Sequence, residues 1–402
     1  MTAVINLSPL SINLKRKIRA HLKNLGFVKD ENGNLVPPNL SKDTYRKMHS
    51  QHRKQKLEKN KLFLEKNSTK LIKFFASGSD IDVNKINPRI ELILPNTIQS
   101  DLFRFASLYW QVPVSEGYGR RIRFLVWDDY NDKIIGIFAL GDAVFNLKVR
   151  DNLIGWDHAR RSEALVNMMD AYVLGALPPY NQLLGGKLIA CLLKSKEVKN
   201  AFKEKYKSST GIISGKAKKA DLVLISTTSS LGKSSVYNRL KLNNEEYFQP
   251  IGYTSGFGHF HIPDSLFEDM RAYLDNLGDK YAHNFSYGQG PNWRMRTIRK
   301  VLNLLGMPDS INNHGLPREV FLVHLASNCY PILVGTEKEP NYSNLKSVKE
   351  ISKIAIERWM IPRAERMPFY KEWKNEDLLK HIYNNYSLLE GRYKQSHGLR
   401  TK

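Results

Sequence analysis

Two apolar runs, Arg121–Asp129 (RIRFLVWDD) and Lys133–Gly141 (KIIGIFALG), are separated by three turn-forming residues, Tyr130, Asn131 and Asp132. Runs of this β-branched and aromatic composition joined by so short a link read as a β-hairpin. Beyond the hairpin the chain alternates in type. Arg160–Met169 has a helical pattern, and Ala171–Tyr180 is a buried strand closed by Pro178-Pro179, in which Gly175 marks a bulge or a close approach by another group. Leu183–Tyr206 is the longest amphipathic helical run in the chain, entered through Gly185 and Gly186. A strand at Asp221–Thr227, a helix at Ser234–Leu242 and an aromatic, glycine-punctuated strand pair at Tyr247–Ile262 complete the series. The order predicts an α/β (α+β) fold in which helices flank a mixed sheet.

This core is expected over residues 91–275, with a basic helical region over 1–90 before it and a mainly helical region with a frayed basic tail over 276–402. Within Ser11–Leu25, Ile12, Leu14, Ile18, Leu22 and Leu25 fall near one helical face, and Lys15, Arg16, Lys17, Arg19 and Lys23 lie mostly elsewhere. A turn at Asp30–Asn34 and the Pro37-Pro38 pair interrupt the chain, and Ser41–Asn67 then reads as a second basic helix.

Charge decides which partners to consider. The chain carries 62 Lys or Arg against 39 Asp or Glu, a formal +23, and residues 1–73 alone hold 17 against 5. A polyanion is the first partner such a surplus implies. In the second helix Tyr45, His49 and His52 are interleaved with the cations, which suits contact with nucleic acid, DNA above all. The candidate contacts are Arg46, Lys47, Arg53, Lys54, Lys56 and Lys59 there, Arg120, Arg121 and Arg123 beside Gly117-Tyr118-Gly119, and Arg294, Arg296, Arg299 and Lys300 on a helix over Pro291–Gly306. For each run the alternative is a solvated surface. No helix-turn-helix, zinc-finger or RNA-recognition signature accompanies them, so base-specific readout is not predicted. Two cysteines, Cys191 and Cys329, are too few for a structural zinc site or a disulfide lattice and read as core thiols of a cytoplasmic protein. Met1–Leu14 lacks a leader pattern and no run reaches about 18 apolar residues, so no membrane partner is expected.

Gln182-Leu183-Leu184-Gly185-Gly186-Lys187 opens a helix directly after a strand, where unpaired N–H groups suit a phosphate. The glycine pair equally allows the helix to pack closely on the sheet. The segment resembles the Q/R-x-x-G-x-G/A loop of GNAT acyltransferases, with Lys187 where that family has glycine or alanine. The resemblance implies a GNAT-like core and coenzyme A, or an acyl-coenzyme A, held by Gln182, Gly185, Gly186 and Lys187. It also implies that Tyr172–Leu177 splays from Leu222–Thr227, that Gly175 marks a bulge, and that Tyr237 acts as general acid; packing alone is the other role for Tyr237. His259 and His261 alternate about Phe260 and on a strand would share one face, as a proton-transfer pair or an incomplete metal site. Asp128, Asp129, Asp157 and Glu116 are further carboxylates that no spacing selects. Leu231-Gly232-Lys233-Ser234 looks like the end of a Walker A loop, but Thr227 stands where that pattern requires glycine, so nucleotide hydrolysis is not predicted there.

Longer strings carry a second resemblance: LYWQVPVSEGYGRRIRFLVWDDYNDKIIGIFALGD, IGWDHARR, MDAYVLGALPPYNQLLGGKLIACLLKSKEV, LISTTSSLGKSSVYNRLKL and PIGYTSGFGHFHIPD. Over Leu102–Asp264 they are similar to the DruA family of Druantia anti-phage defence proteins. That resemblance implies a component of a multi-protein bacterial defence system that includes a large helicase, and it supplies no catalytic assignment. Two activities are expected: nucleic-acid binding through a basic surface on a GNAT-like core, or coenzyme A-dependent N-acyl transfer to a nucleobase or protein amine. A scaffold whose basic face meets acidic subunits is the third.

Overall fold

A computed structural model describes residues 8–31, 35–114, 119–206, 209–210, 217–218, 220–238, 240–256, 258–259, 261–283, 293–307, 311–312 and 315–384. Glu116, Gly117, Tyr118, Phe260 and the C-terminal tail lie outside the described residues.

The chain begins with α1 (Pro9–Leu25), a ribbon of β1 (Val28–Lys29) and β2 (Leu35–Val36), α2 (Lys42–Lys59) and α3 (Lys61–Leu71). Next come β3 (Pro88–Leu92), α4 (Ile98–Ser107), β4 (Arg121–Asp128), β5 (Lys133–Asp142), α5 (Lys148–Ile154), α6 (His158–Ala164) and β6 (Met168–Ala176). Then α7 (Gly185–Leu192) and α8 (Lys196–Tyr206) lead through a ribbon of β7 (Ser209–Thr210) and β8 (Ala217–Lys218) to β9 (Leu224–Thr228). A ribbon of β10 (Lys241–Leu242) and β11 (Glu245–Glu246) precedes β12 (Gln249–Tyr253), α9 (Asp264–Asn276) and α10 (Trp293–Leu304). The last elements are β13 (Glu319–His324), α11 (Cys329–Val334), α12 (Val348–Ala355), α13 (Ile361–Arg366) and α14 (Asp377–Asn384).

These elements form two units. The first comprises Met1–Gln55, Ser230–Gly232 and Tyr253–Arg318. Its core joins Leu14, Ile18, Leu22 and Leu25 of α1 to Met270 and Leu274 of α9 and to Ile298 and Val301 of α10. The α1 residues recur at helical spacing and so bury one stripe. Ser8 accepts from the Ser11 N–H at 3.3 Å, Pro9 opens the helix, and Gly26 at φ 91° ends it while the Phe27 N–H reaches back to Leu22 O at 3.0 Å. That is a left-handed cap of the kind glycine favours.

The second unit comprises Lys56–Ser229, Lys233–Gly252 and Glu319–Lys402. Its seven-stranded sheet has the order β12-β13-β9-β6-β5-β4-β3. The β4–β5 hairpin is antiparallel, and Phe124 and Phe138 stack across it with ring centres 4.6 Å apart. β6 pairs antiparallel with β5 and parallel with β9. One face carries a core with Leu188, Ile189 and Leu192 of α7 and Val198 and Phe202 of α8. The other face carries two separate clusters, one with Leu102, Phe103 and Phe105 of α4 and one with Ile154 of α5, Ala164 of α6 and Ile332 of α11. Both cysteines are buried and free, and no helix among the described residues is long and apolar enough to cross a membrane.

Three local expectations are corrected. In place of a helix over Ser234–Leu242, residues 235–238 form turns and Lys241–Leu242 is β10. Ser234 Oγ accepts from the backbone N–H groups of Val236 and Tyr237 at 3.2 and 3.0 Å as a helix cap would, but Asn238 Nδ2 donates to Ser234 O and to Glu319 Oε2 at 2.9 and 2.8 Å and the Leu240 N–H turns back to Tyr237 O at 3.1 Å. The Leu183–Tyr206 run is two helices, broken where Ser195 bridges to Lys346 and the Lys196 N–H donates to Lys346 O at 2.9 Å. The bulge in β6 falls at Tyr172, which has no partner between the pairs Ala139–Val173 and Leu140–Ala171. Gly175 is in register opposite Ile137, and its missing Cβ makes room for Trp110, whose Cζ2 would otherwise stand 2.8 Å away.

Candidate functional site

The exposed cations of the first unit concentrate on α1. Its core stripe points inward, so Arg16, Arg19 and Lys23 are exposed on the opposite side and make no hydrogen bond or ion pair among the described residues. They line a shallow hollow of about 490 Å³ together with Ile12, Lys15 and Ala20. Two neighbours are tied down: Lys15 Nζ donates to Leu305 O at 3.0 Å and Lys17 pairs with Asp269 at 2.8 Å.

The second helix contributes less than its charge suggests. Tyr45, Met48, His49 and Arg53 form its buried face, and burial pushes the Arg53 guanidinium down to about 10, so Arg53 is not a surface contact. Arg46 pairs with Asp43 at 2.7 Å, Lys54 and Lys59 are exposed, and Lys47 and Lys56 are half-buried. On α10, Arg294 is turned inward. It donates to Asp264 Oδ1 at 3.0 Å and Ile262 O at 2.7 Å, and lies 4.3 Å over the Phe267 ring. Lys300 pairs with Asp279 at 3.6 Å, Arg296 lies 5.9 Å over the Tyr281 ring, and Arg299 is exposed.

At the mouth of β4 the three arginines also differ. Arg120 is a structural clamp, with Nε 2.6 Å from Asp142 and Nη1 2.8 Å from Val166 O. Arg121 lies 4.1 Å over the Tyr172 ring, and Arg123 is exposed, 5.6 Å over Phe103.

The loop before α7 is a tight turn. The Gly185 N–H donates to Tyr180 O at 2.9 Å, a Cβ on Gly185 would stand 2.6 Å from that oxygen, and Leu184 takes φ 62°. Gln182 O accepts from Arg363 Nε at 3.2 Å and Lys187 Nζ lies 5.2 Å over the Trp359 ring. Of the two glycines, Gly186 faces open space. Tyr237 stacks on Phe248, centres 4.7 Å apart, and meets Phe321 edge-on at 5.5 Å; burial raises its phenol well above the ordinary value. Packing accounts for it. His259 and His261 are not on a strand, which removes the geometry expected of them. His261 is buried, with its ring 5.7 Å from Phe27 and its carbonyl accepting from His21 Nε2 at 2.7 Å. The Walker-like loop is closed by a carboxylate: Glu319 Oε2 accepts from the Ser234 N–H at 3.0 Å and Asn238 Nδ2 at 2.8 Å, where an anion would bind.

β6 and β9 part company within the sheet. They pair in parallel from Met168–Leu224 to Asp170–Ser226, after which β6 continues along β5 as far as Ala176–Gly136 and β9 along β13 through Thr228–Val320. Asp170 sits at this fork. Oδ1 accepts from Ser226 Oγ and Oδ2 from the Val144 N–H at 2.9 Å, and desolvation raises its pKa against these bonds. No sequence spacing marks Asp170, because its surroundings come from strands brought together only by the fold.

Known proteins share most of this chain. The family model described as Druantia protein DruA matches residues 39–335. A curated relative, Druantia protein DruA of Escherichia coli (strain UMEA 4076-1), is 52% identical over 382 residues, covering 95% of each chain. No solved structure matches the chain. Matched over most of its length by both, the chain belongs to the DruA family.

Proposed function

We infer that this protein is a component of a multi-protein bacterial anti-phage defence system, Druantia, and that its share of the work is to bind nucleic acid, DNA in the first instance, in the cytoplasm. A large helicase of the same system is its expected partner. The observation that carries the binding reading is the outward face of α1: Arg16, Arg19 and Lys23, three exposed cations spread over two helical turns with no intramolecular partner among the described residues. Arginine and lysine so placed can release counterions from phosphates without first breaking internal bonds. The test is titration of the full chain with labelled single- and double-stranded DNA across a salt series. Binding that weakens steeply with salt supports the reading; salt-independent or absent binding overturns it.

One observation favours a second reading, a coenzyme A-dependent N-acyltransferase with a GNAT-like core. The β6–β9 fork lies on the strand that leads to Gly185, Gly186 and α7, as the pantetheine slot and pyrophosphate loop of that family would. Calorimetry with coenzyme A and acetyl-coenzyme A decides it: heat lost on Gly186→Trp supports the enzyme, and no heat with the native chain removes it.

A further inference from the structure

The sheet face opposite α7 is covered in two places, by the α4 cluster and by the cluster of α5, α6 and α11. Asp170, Tyr172, Arg121 and Arg123 share this face. Met169, Ala171, Ile122 and Phe124 belong to the core on the α7 side, so strand alternation turns Asp170, Arg121 and Arg123 the other way, and Tyr172, at the bulge, packs with Val173 against the α4 cluster. Arg123 is exposed, and Asp170, Tyr172 and Arg121 are half-buried.

Each of the three side-chain types constrains a ligand. Desolvation disfavours the ionised form of Asp170, and a ligand with two donors offsets that by bonding to the charge; the ionised carboxylate only accepts, with about two lone-pair positions on each oxygen. Ser226 and the Val144 N–H occupy one on each oxygen, so a paired set of donors can still approach both. Tyr172 and Arg121 already lie close enough to interact, and aromatic rings and guanidinium planes are the groups on which unstacked bases lie. Arg123 adds a cation suited to a phosphate. A simple amine would be repelled by the two arginines, and a simple carboxylate by Asp170. Adenine and cytosine each offer one donor next to a ring acceptor, which would set lone pair against lone pair at the second carboxylate oxygen. Guanine offers N1–H and the 2-amino group side by side, the arrangement that meets a carboxylate through two parallel bonds.

We propose that this sheet face is a guanine site, in which the base lies against Tyr172 and Arg121, directs its N1–H and 2-amino group to Asp170, and turns its phosphate toward Arg123. The guanine comes either from a single strand or from a free nucleotide. Only the strand source rests on the nucleic-acid reading above.

The test uses the full chain and a short labelled oligothymidylate with one central guanine, hypoxanthine or adenine, read by fluorescence polarisation. Hypoxanthine lacks only the 2-amino group, and losing one hydrogen bond to a charged group weakens binding by about tenfold or more. The expected order is guanine tightest, with Asp170→Asn erasing the difference while the variant melts as a folded protein. Equal binding of guanine and hypoxanthine by the native chain overturns the proposal without needing any variant, and so does a folded Asp170→Asn that keeps the preference. Displacement by GMP at concentrations near the oligonucleotide's own Kd assigns the site to free nucleotide; displacement only in large excess assigns it to a strand. Reversal of Arg16, Arg19 and Lys23 separates the two readings: an unchanged affinity with the guanine preference intact defeats the α1 reading and leaves the guanine site standing.

Discussion

The guanidinium carbon of Arg121 lies 4.1 Å from the centre of the Tyr172 ring, and Gly141 on the neighbouring strand lies beneath both. A Cβ at Gly141 would stand 3.3 Å from Arg121 Cζ and 3.3 Å from Tyr172 Cδ1, so a small side chain there needs the pair to give by a few tenths of an ångström and a branched one needs more. Gly141→Val is therefore expected to cost about 1–3 kcal/mol of stability through forced repacking, in spite of valine's better strand propensity. Urea unfolding of the native and variant chains checks it. A valine variant as stable as the native chain would show that the stack does not hold this position.

Reversal of charge at α1 separates binding from folding. Arg16→Glu, Arg19→Glu and Lys23→Glu together touch no internal bond among the described residues, so the melting temperature is expected to hold while DNA affinity falls for all sequences alike. The slope of log affinity against log salt should shrink by about one for each phosphate that is no longer neutralised. Arg294→Glu gives the contrast. It breaks the bonds to Asp264 and Ile262 O, so its first effect is on the melting curve. An α1 variant with unaltered affinity and slope would place the nucleic-acid surface elsewhere.

Local pattern makes part of the fold legible in the sequence. The spacing of Leu14, Ile18, Leu22 and Leu25 defines α1 and its free face, and the polar link at Tyr130–Asp132 defines the β4–β5 hairpin. The features that pattern misses depend on partners distant in sequence. Ser234 and Asn238 look helical until Glu319, 85 and 81 positions away, bonds to both. Arg53 looks like a surface cation until the second helix is seen to bury the face that carries it. Gln182, Gly185 and Gly186 are legible as a turn entering a helix, whereas Asp170 is invisible because its site is made by Ser226, 56 positions on. Periodicity encodes which face is buried, and pairing between strands encodes which polar groups meet.

Arg150 of α5 is among the largest fully buried side chains of the described residues. Its Nε and Nη2 donate to Asp151 at 2.9 and 2.7 Å, and Nη1 donates to Val144 O at 2.8 Å. Asp151 also accepts from Trp156 Nε1 at 3.2 Å and Arg161 at 3.0 Å. Arg150→Met leaves the Val144 carbonyl and part of the Asp151 carboxylate unmatched, and a broken buried pair costs about 3–5 kcal/mol. Because the Val144 N–H is also a donor to Asp170, the same variant is expected to weaken guanine discrimination. Thermal melts and the hypoxanthine comparison read the two effects. A variant that melts like the native chain would mean that the Leu147 N–H, Trp156 and Arg161 suffice to hold Asp151.

Asp170 gives the chain a pH dependence whose sign can be worked out. Its folded-state pKa is raised by desolvation, so the folded state resists ionising it more than the unfolded state does. Stability from this group is therefore fully present below the unfolded value of about 3.9 and is lost as pH rises through the folded value, after which the penalty is constant. Asp170→Asn has the same shape and can keep both bonds, its oxygen accepting from the Val144 N–H and its amide donating to Ser226 Oγ. The variant never ionises. Its stability relative to the native chain should accordingly grow as pH rises from acid toward neutral and then level off, with the two chains converging at the acid end. Urea midpoints measured for both chains at intervals from about pH 4 to about pH 8 track the difference directly. A gap that stays constant across that range, or that widens toward acid, would mean that Asp170 is ionised in the folded chain at no cost.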